Sequence, residues 1–268
     1  MKKILLPLAL AALSCAALPA FAQQAQPAAS APPAAPANVA QAPAIEPKAL
    51  EILKAMSTKL GSAKSITFTV ATAFDQPGRN GQPIIYATES NVALQRPNRF
   101  AVITYGDGPR SAFYYNGKDM LVALPEKNLV AVADAPGNVE DMLEQAFTKA
   151  GIYFPWVDLV VNDPFAEIQK GLKTAFYIGQ SKVMGDTLTD MVAFSNSNVM
   201  VQAWIGAKDK LPRMLSIIPV EKDQPGRQML TFGNWTLNKS IPSSVFESKE
   251  RKSARKIDFA KPELIKKQ

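Results

Sequence analysis

The chain has 268 residues and a formal net charge of +7 at pH 7, with no histidine and one cysteine. Without histidine, Ser-His-Asp and Cys-His catalysis are excluded, and ordinary zinc, copper or haem sites are not expected. The mildly basic charge favours anionic surfaces but is a weak signal for nucleic-acid binding. We therefore expect no metal, no cofactor and no nucleic-acid partner.

Residues 1–22 have the three parts of a bacterial export signal. Lys2 and Lys3 form a short positive region, residues 4–13 form an apolar stretch, and residues 20–22 supply the small-x-small sequence that a signal peptidase needs. The apolar stretch is too short to span a bilayer stably. The sequence predicts export and cleavage after Ala22, with an uncleaved signal anchor as the alternative.

Cys15 is the only cysteine and offers another interpretation of this leader. The preceding residues resemble a lipobox, which would make the mature protein lipid-anchored at Cys15. The position three before the cysteine is Ala12 rather than the usual Leu, so cleavage after Ala22 is favoured. That cleavage would remove the cysteine and leave a chain without disulfides or thiolate chemistry.

Residues 23–47 consist almost entirely of Ala, Pro and Gln, with almost no charge. Such a segment cannot bury a core, which predicts a disordered or polyproline-like linker. The remainder, residues 48–268, has no Pro/Gly/Ser-rich break, and its folded part of about 210 residues suits one domain better than two.

The first predicted elements are a helix and an antiparallel meander. Pro47 fits the first helical position, apolar residues recur at helical spacing, and Gly61 ends the helix. Alternating apolar residues then predict strands. These strands lie near residues 66–70, 84–94, 100–104, 112–115, 120–124 and 129–133.

A second helix is predicted after Asn138, a good N-cap, and Gly151 ends it. An aromatic connector, residues 152–157, and a short helix beginning at Asp163-Pro164 follow. The remaining predicted strands lie near residues 174–184, 187–196, 199–206, 213–220 and 227–237, with a further candidate at 255–259.

Many of these strands carry apolar residues on both faces. Residues 100–103 and 214–218 are two such runs. A sheet with one solvated face would alternate more cleanly between apolar and polar residues. Either something apolar covers each face or one face lines a cavity.

The order of motifs resembles the LolA/LolB lipoprotein-carrier superfamily, and within it an uncharacterised family of predicted periplasmic proteins. The similarity rests on the sequence RPNRF at residues 96–100, the hairpin YNGKDML at 115–121, residues 125–130 and the helix after Asn138. It covers about residues 48–150. The resemblance implies an α+β, mainly β fold: an incomplete antiparallel β-barrel of about ten to eleven strands wrapped around lid helices.

The resemblance also implies a function. Carriers of this superfamily hold lipoprotein acyl chains between sheet and lid, which requires no catalytic residue. It therefore implies a periplasmic, monomeric, non-enzymatic binder of an amphipathic lipid or of lipoprotein acyl chains. The alternative is an envelope-stress sensor or scaffold that binds a partner protein, such as an envelope membrane protein.

Candidate site residues follow from the same resemblance. Arg96 would tie the barrel to the lid through several backbone carbonyls, or it is a solvated residue before a turn. The other candidates line the ligand space or serve as ordinary core packing. They are Phe100, Met142, Leu143, Phe147, Phe154 and Trp156.

Two charged features have competing explanations. The basic run at residues 249–256 touches anionic lipid head groups or forms an edge strand blunted by charge, and the edge strand is favoured. Asp186 with Asp190, and Glu140 with Asp141, could be offered as catalytic carboxylate pairs. Helix-cap and turn roles explain these four residues better.

Overall fold

The structure, a computed structural model, describes residues 44–220 and 226–261. The predicted signal peptide, Cys15 and the linker as far as residue 43 lie outside the described residues. None of the described helices is long and apolar enough to cross a membrane.

The described chain forms one open sheet of twelve strands in the order β12-β6-β5-β4-β3-β2-β1-β11-β10-β9-β8-β7. The pairings are antiparallel except for the parallel pair β12–β6. The predicted mainly β, open antiparallel sheet is confirmed, with twelve strands instead of ten or eleven. The strands are β1 Ser65–Pro77, β2 Pro83–Gln95, β3 Arg99–Gly106, β4 Ser111–Tyr115, β5 Asp119–Leu124, β6 Leu129–Asp134, β7 Thr174–Met184, β8 Thr187–Ser195, β9 Val199–Gly206, β10 Pro212–Pro219, β11 Gln228–Leu237 and β12 Arg255–Ile257.

The three α-helices are α1 Pro47–Gly61, α2 Val139–Ala150 and α3 Pro164–Gln169. Helix α2 has the predicted ends: the Asn138 side chain accepts hydrogen bonds from two backbone N–H groups, and Gly151 adopts the left-handed conformation. Helix α3 begins with Pro164 after Asp163, whose side chain accepts from Ala166 N. Three short 3₁₀ turns lie at Pro125–Lys127, Val157–Leu159 and Ser243–Phe246.

The two ends of the described chain lie at the two edges of the sheet. At one edge, Glu46 N donates to Ala175 O in β7 at 2.7 Å, and the Glu46 carboxylate accepts from Tyr177 N at 2.9 Å. At the other edge, β12 pairs with β6. Residues 44–46, which the sequence placed in the linker, therefore already contact the sheet.

The main core lies between the helices and one face of the sheet. Helix α1 buries Ala49, Leu53, Met56 and Leu60, each at most 1% exposed. Met142 of α2 is also fully buried in this core. The helical periodicity in the sequence is therefore explained by packing onto the sheet.

The other face of the sheet is covered over only one half. Residues 239–257, here called the C-terminal strap, bring Phe246 against Ala93 and Ala101 on β2 and β3. Phe246 is 1% exposed. Ala254 of the strap packs against a second cluster on β4–β6, so strands β2–β6, here called the first half-sheet, are packed on both faces where the strap lies.

The second half-sheet, β7–β11, lacks such a cover among the described residues. Five large apolar side chains on its face away from the helices, here called the methionine face, are half-buried or exposed. In the pairing register Met191 lies beside Trp204, and Trp204 lies beside Met214. The methionine face comprises Met191, Met200, Trp204, Met214 and Met229.

Candidate ligand cavity and its closing contacts

A small cavity lies between the helices and the second half-sheet. Its volume is about 100 Å³. Most of its wall is apolar, and the polar members are Asp158, Glu167 and Asn196. The lining residues are Met56, Pro155, Trp156, Asp158, Leu159, Glu167, Ile168, Phe194, Asn196, Val199, Val201, Ala203, Leu215 and Ile217.

The cavity is smaller than the sites that hold drug-sized ligands, which measure about 300–1,000 Å³. A liquid water molecule takes about 30 Å³, so this space corresponds to roughly three waters. An acyl chain fits only if part of the wall moves. Apart from Met56 of α1, the wall consists of strands β8–β10 and of residues 155–169, which form a turn and a six-residue helix.

Aromatic rings fill the space next to the cavity. Trp156 contacts Phe68 edge to face, with centroids 5.2 Å apart, and stacks on Phe154 at 5.3 Å. Phe154 in turn meets Phe100 and Phe113 edge to face at 5.8 and 5.7 Å. Trp156 is therefore shared between the aromatic cluster and the cavity wall.

Arg96 joins three segments of the chain. Its Nε donates to Ala63 O at 3.0 Å, just beyond α1, and its Nη2 donates to Val161 O at 2.9 Å. Its Nη1 donates to Asn162 Oδ1 at 2.9 Å. The guanidinium thus holds two backbone carbonyls and one side chain, which links the end of β2 to the residues after α1 and to those before α3.

Asn162 extends this network to α2. Glu140 accepts from Asn162 N at 2.5 Å and from Asn162 Nδ2 at 2.8 Å. Burial lowers the pKa of Arg96 from its ordinary value, and the nearby Glu140 carboxylate opposes that shift. Gly61 makes room for the loop, because a Cβ at Gly61 would lie 2.7 Å from Asn162 O. We call Arg96, Asn162 and Glu140 the polar latch.

The seven candidate residues are distributed over four environments. Arg96 lies in the polar latch, and Trp156 is the only one of the seven that lines the cavity. Phe100 and Met142 are fully buried in the core, while Leu143 and Phe154 are partly buried against it.

Phe147 does not point toward the cavity. It is 56% exposed, and the Lys261 ammonium lies 5.8 Å from its ring centroid. The resemblance implies instead that it lines the ligand space. The helix turns its buried side toward the core through Val139, Met142 and Ala146, which leaves Phe147 on the outer side.

Sequence reasoning missed Asn162 and the wall from β8–β10. Asn162 follows the apolar run 159–161 and precedes the helix cap Asp163, a position that indicates a turn but no contact with Arg96. The wall residues of the second half-sheet lie in the part of the chain where the sequence resemblance fades. Their apolar alternation was the only available signal.

Three of the four carboxylates offered as catalytic pairs form structural contacts. Asp141 accepts from Asn138 N, which completes a capping box, and Glu140 belongs to the polar latch. Asp190 accepts from Gln180 Nε2 at 3.0 Å across a strand pair. Over residues 44–220 and 226–261, no group of three or more acidic, cysteine or histidine residues is placed to hold a metal ion.

Several solved structures are similar to this chain. MucB has 15% identity and a TM-score of 0.45, covering 76% of this chain and 63% of its own. A DUF1329 family protein from Desulfovibrio piger has 10% identity and a TM-score of 0.36, covering 75% of this chain and 96% of its own. A LolA superfamily protein from Nitrosomonas europaea has 10% identity and a TM-score of 0.32, covering 75% of this chain and 97% of its own.

The match to MucB spans less than two thirds of that protein's length. No curated protein matches the chain. A family model described as "Predicted periplasmic protein (DUF2092)" matches residues 49–260, which include the polar latch, the cavity wall and the whole strap. The chain therefore belongs to this family of predicted periplasmic proteins.

Proposed function

We propose that the protein is a periplasmic, non-enzymatic binder or carrier of an amphiphile, whose acyl chain enters between the second half-sheet and residues 155–169. The observation that carries the proposal is the apolar cavity beneath this short segment. Its walls already present aliphatic and aromatic side chains to any ligand that displaces the segment. The head group of the ligand would remain at the polar rim near Asp158 and Glu167.

The free energy gained by burying an acyl chain is large enough for the ligand to displace residues 155–169. Each methylene moved out of water contributes about 0.8 kcal/mol, so roughly ten methylenes contribute about 8 kcal/mol. Opening breaks the two Arg96 bonds to this segment, which go to Val161 O and Asn162 Oδ1. A hydrogen bond to a charged group contributes about 1.5–3 kcal/mol, so loss of these two bonds costs roughly 3–6 kcal/mol. An acyl chain therefore offsets the loss of these two bonds, while a short apolar molecule does not.

Titration of the purified mature chain with a fluorescent fatty acid tests this proposal. Val199 lines the cavity and is partly exposed, so Val199→Trp should fill the space and lower the affinity at least tenfold. Val183 is 73% exposed and lies away from the lining, so Val183→Trp is the matched control with unchanged affinity. Equal affinities for the two variants would sink the proposal, as would no uptake by the parent chain.

A second candidate function is the capture of a partner protein, as a sensor or scaffold does. The methionine face favours it, because Met side chains adapt to different partners and recur at such binding surfaces. A photo-crosslinker placed at Met214 in cells should form a discrete adduct that disappears on Met200→Glu. An adduct that is equally strong with the crosslinker at Lys54, on the far side of the sheet, would contradict this role.

A further inference from the structure

The C-terminal strap concentrates positive charge. Between Lys249 and Lys256, five of the eight residues are Lys or Arg and one is Glu, a net charge of +4 in a chain of net +7. Arg251 is paired with Asp119 of β5. The other four cations are exposed: Lys249, Lys252, Arg255 and Lys256.

None of these four cations forms an ion pair with another residue described by the structure. If these four cations lay on an unfolded tail, binding would have to order that tail, at a cost in conformational entropy. Here the backbone is already fixed. Phe246 anchors the strap before the basic run, and near the end of the run Arg255 N donates to Asn128 O at 3.0 Å.

A groove runs alongside the basic run, on the sheet face opposite the helices. Its volume is about 500 Å³, within the range of small-ligand sites. Tyr114, Leu121 and Phe246 give it an apolar floor, and the lysines 249 and 252 lie in its lining. The groove also contains Asp119, which Arg251 neutralises, and Glu247.

We propose that the strap docks on an anionic phospholipid bilayer, with a head-group phosphate in the groove beside Lys249 and Lys252. The arrangement favours a bilayer because the exposed cations extend from the groove to β12 at the edge of the sheet, where they can reach several phosphates of one surface. This surface lies on the opposite side of the sheet from the acyl cavity. Bilayer docking therefore stands whether or not the cavity takes acyl chains.

Co-sedimentation of the mature chain with phosphatidylcholine vesicles, with and without phosphatidylglycerol, tests the proposal. Each cation near an anionic surface strengthens binding about fivefold. Replacing Lys249, Lys252, Arg255 and Lys256 together by Gln should therefore weaken binding to phosphatidylglycerol vesicles more than 100-fold. Binding by the parent chain should fall as salt rises, because the charges are exposed.

The matched control replaces four exposed lysines elsewhere by Gln and so removes the same net charge. These lysines are Lys54, Lys59, Lys173 and Lys182. The control should keep vesicle binding within a few fold of the parent chain. Equal losses of vesicle binding in the two variants would mean that only the net charge matters, which would overturn the proposal.

Two further outcomes also decide the matter. Equal binding to vesicles with and without phosphatidylglycerol overturns the electrostatic docking. Competition by millimolar glycerol phosphate makes the groove a site for a soluble anion, which overturns bilayer docking as well. If the strap variant still binds the fluorescent fatty acid in solution, the variant is folded. Its loss of vesicle binding is then distinct from a failure of the acyl-binding proposal.

Discussion

On the face away from the helices, the first half-sheet is covered by the C-terminal strap and the second half-sheet presents the methionine face. In β3, Phe100 is buried under the helices and Ala101 under Phe246. In β10, Leu215 is buried under the helices, whereas Met214 on the opposite face remains half-buried. A strand that is apolar on both faces thus requires a cover, and in one half of this molecule the cover comes from the chain itself.

The largest expected difference between the halves is in stability. Phe246→Ala should lower the free energy of unfolding by about 3 kcal/mol, because it removes a fully buried ring and leaves a cavity above β2 and β3. Met214→Ala, on the methionine face, should cost less than about 1 kcal/mol. Urea denaturation with a shared m-value measures both. Similar losses would mean that the two faces are equally covered.

The polar latch should give the next largest effect. Arg96→Gln should cost about 2 kcal/mol, because Ala63 O and Val161 O lose charged donors in a partly buried site. Arg213→Gln is the control, since its ion pair with the half-exposed Asp209 should contribute at most about 1 kcal/mol.

Hydrogen exchange locates this effect on the molecule. The Arg96 variant should exchange faster at residues 160–162, and the Arg213 variant should leave these residues unchanged. Uniformly faster exchange across the whole sheet in the Arg96 variant would contradict a local closing contact.

The helix caps should give the smallest difference. Asn138→Ala should destabilise the protein by about 1 kcal/mol, because two backbone N–H groups of α2 lose their acceptor. Asp163→Ala removes one such bond, to Ala166 N, from the six-residue α3 and should cost about half as much. Thermal unfolding measures the loss of stability in both variants. A larger loss for Asp163→Ala than for Asn138→Ala would contradict the expected order of the two caps.

The sequence was informative where local rules decide the structure. The strand alternation and the cap at Asn138 predicted eleven strands and the bounds of α2, because neighbours in the chain also pair in space. The candidate strand at 255–259 is present as the parallel edge strand β12. Its partner β6 lies far away in the sequence, so its pairing could not be deduced from a three-residue pattern.

The site was less predictable, because its contacts cross the sheet. Arg96 was chosen from the resemblance, and its partner Asn162 lies 66 residues away. Phe147 and Met142 belong to one apolar stripe in the sequence, yet the stripe is wider than the buried side of α2. The orientation of that helix on the sheet, which periodicity does not define, determines which residue is enclosed.

The pairing of β1 with β11 has a consequence for the order of assembly. Each half-sheet consists of hairpins between consecutive strands, whereas Asn234 of β11 and Thr69 of β1, which share a hydrogen bond, are 165 residues apart. Contacts at such separation form late, because a long loop must close first. If the chain crosses a membrane N-terminus first, as the predicted export signal would require, β1 must wait with one edge unpaired until β11 has emerged. That interval is when a holding chaperone would matter most.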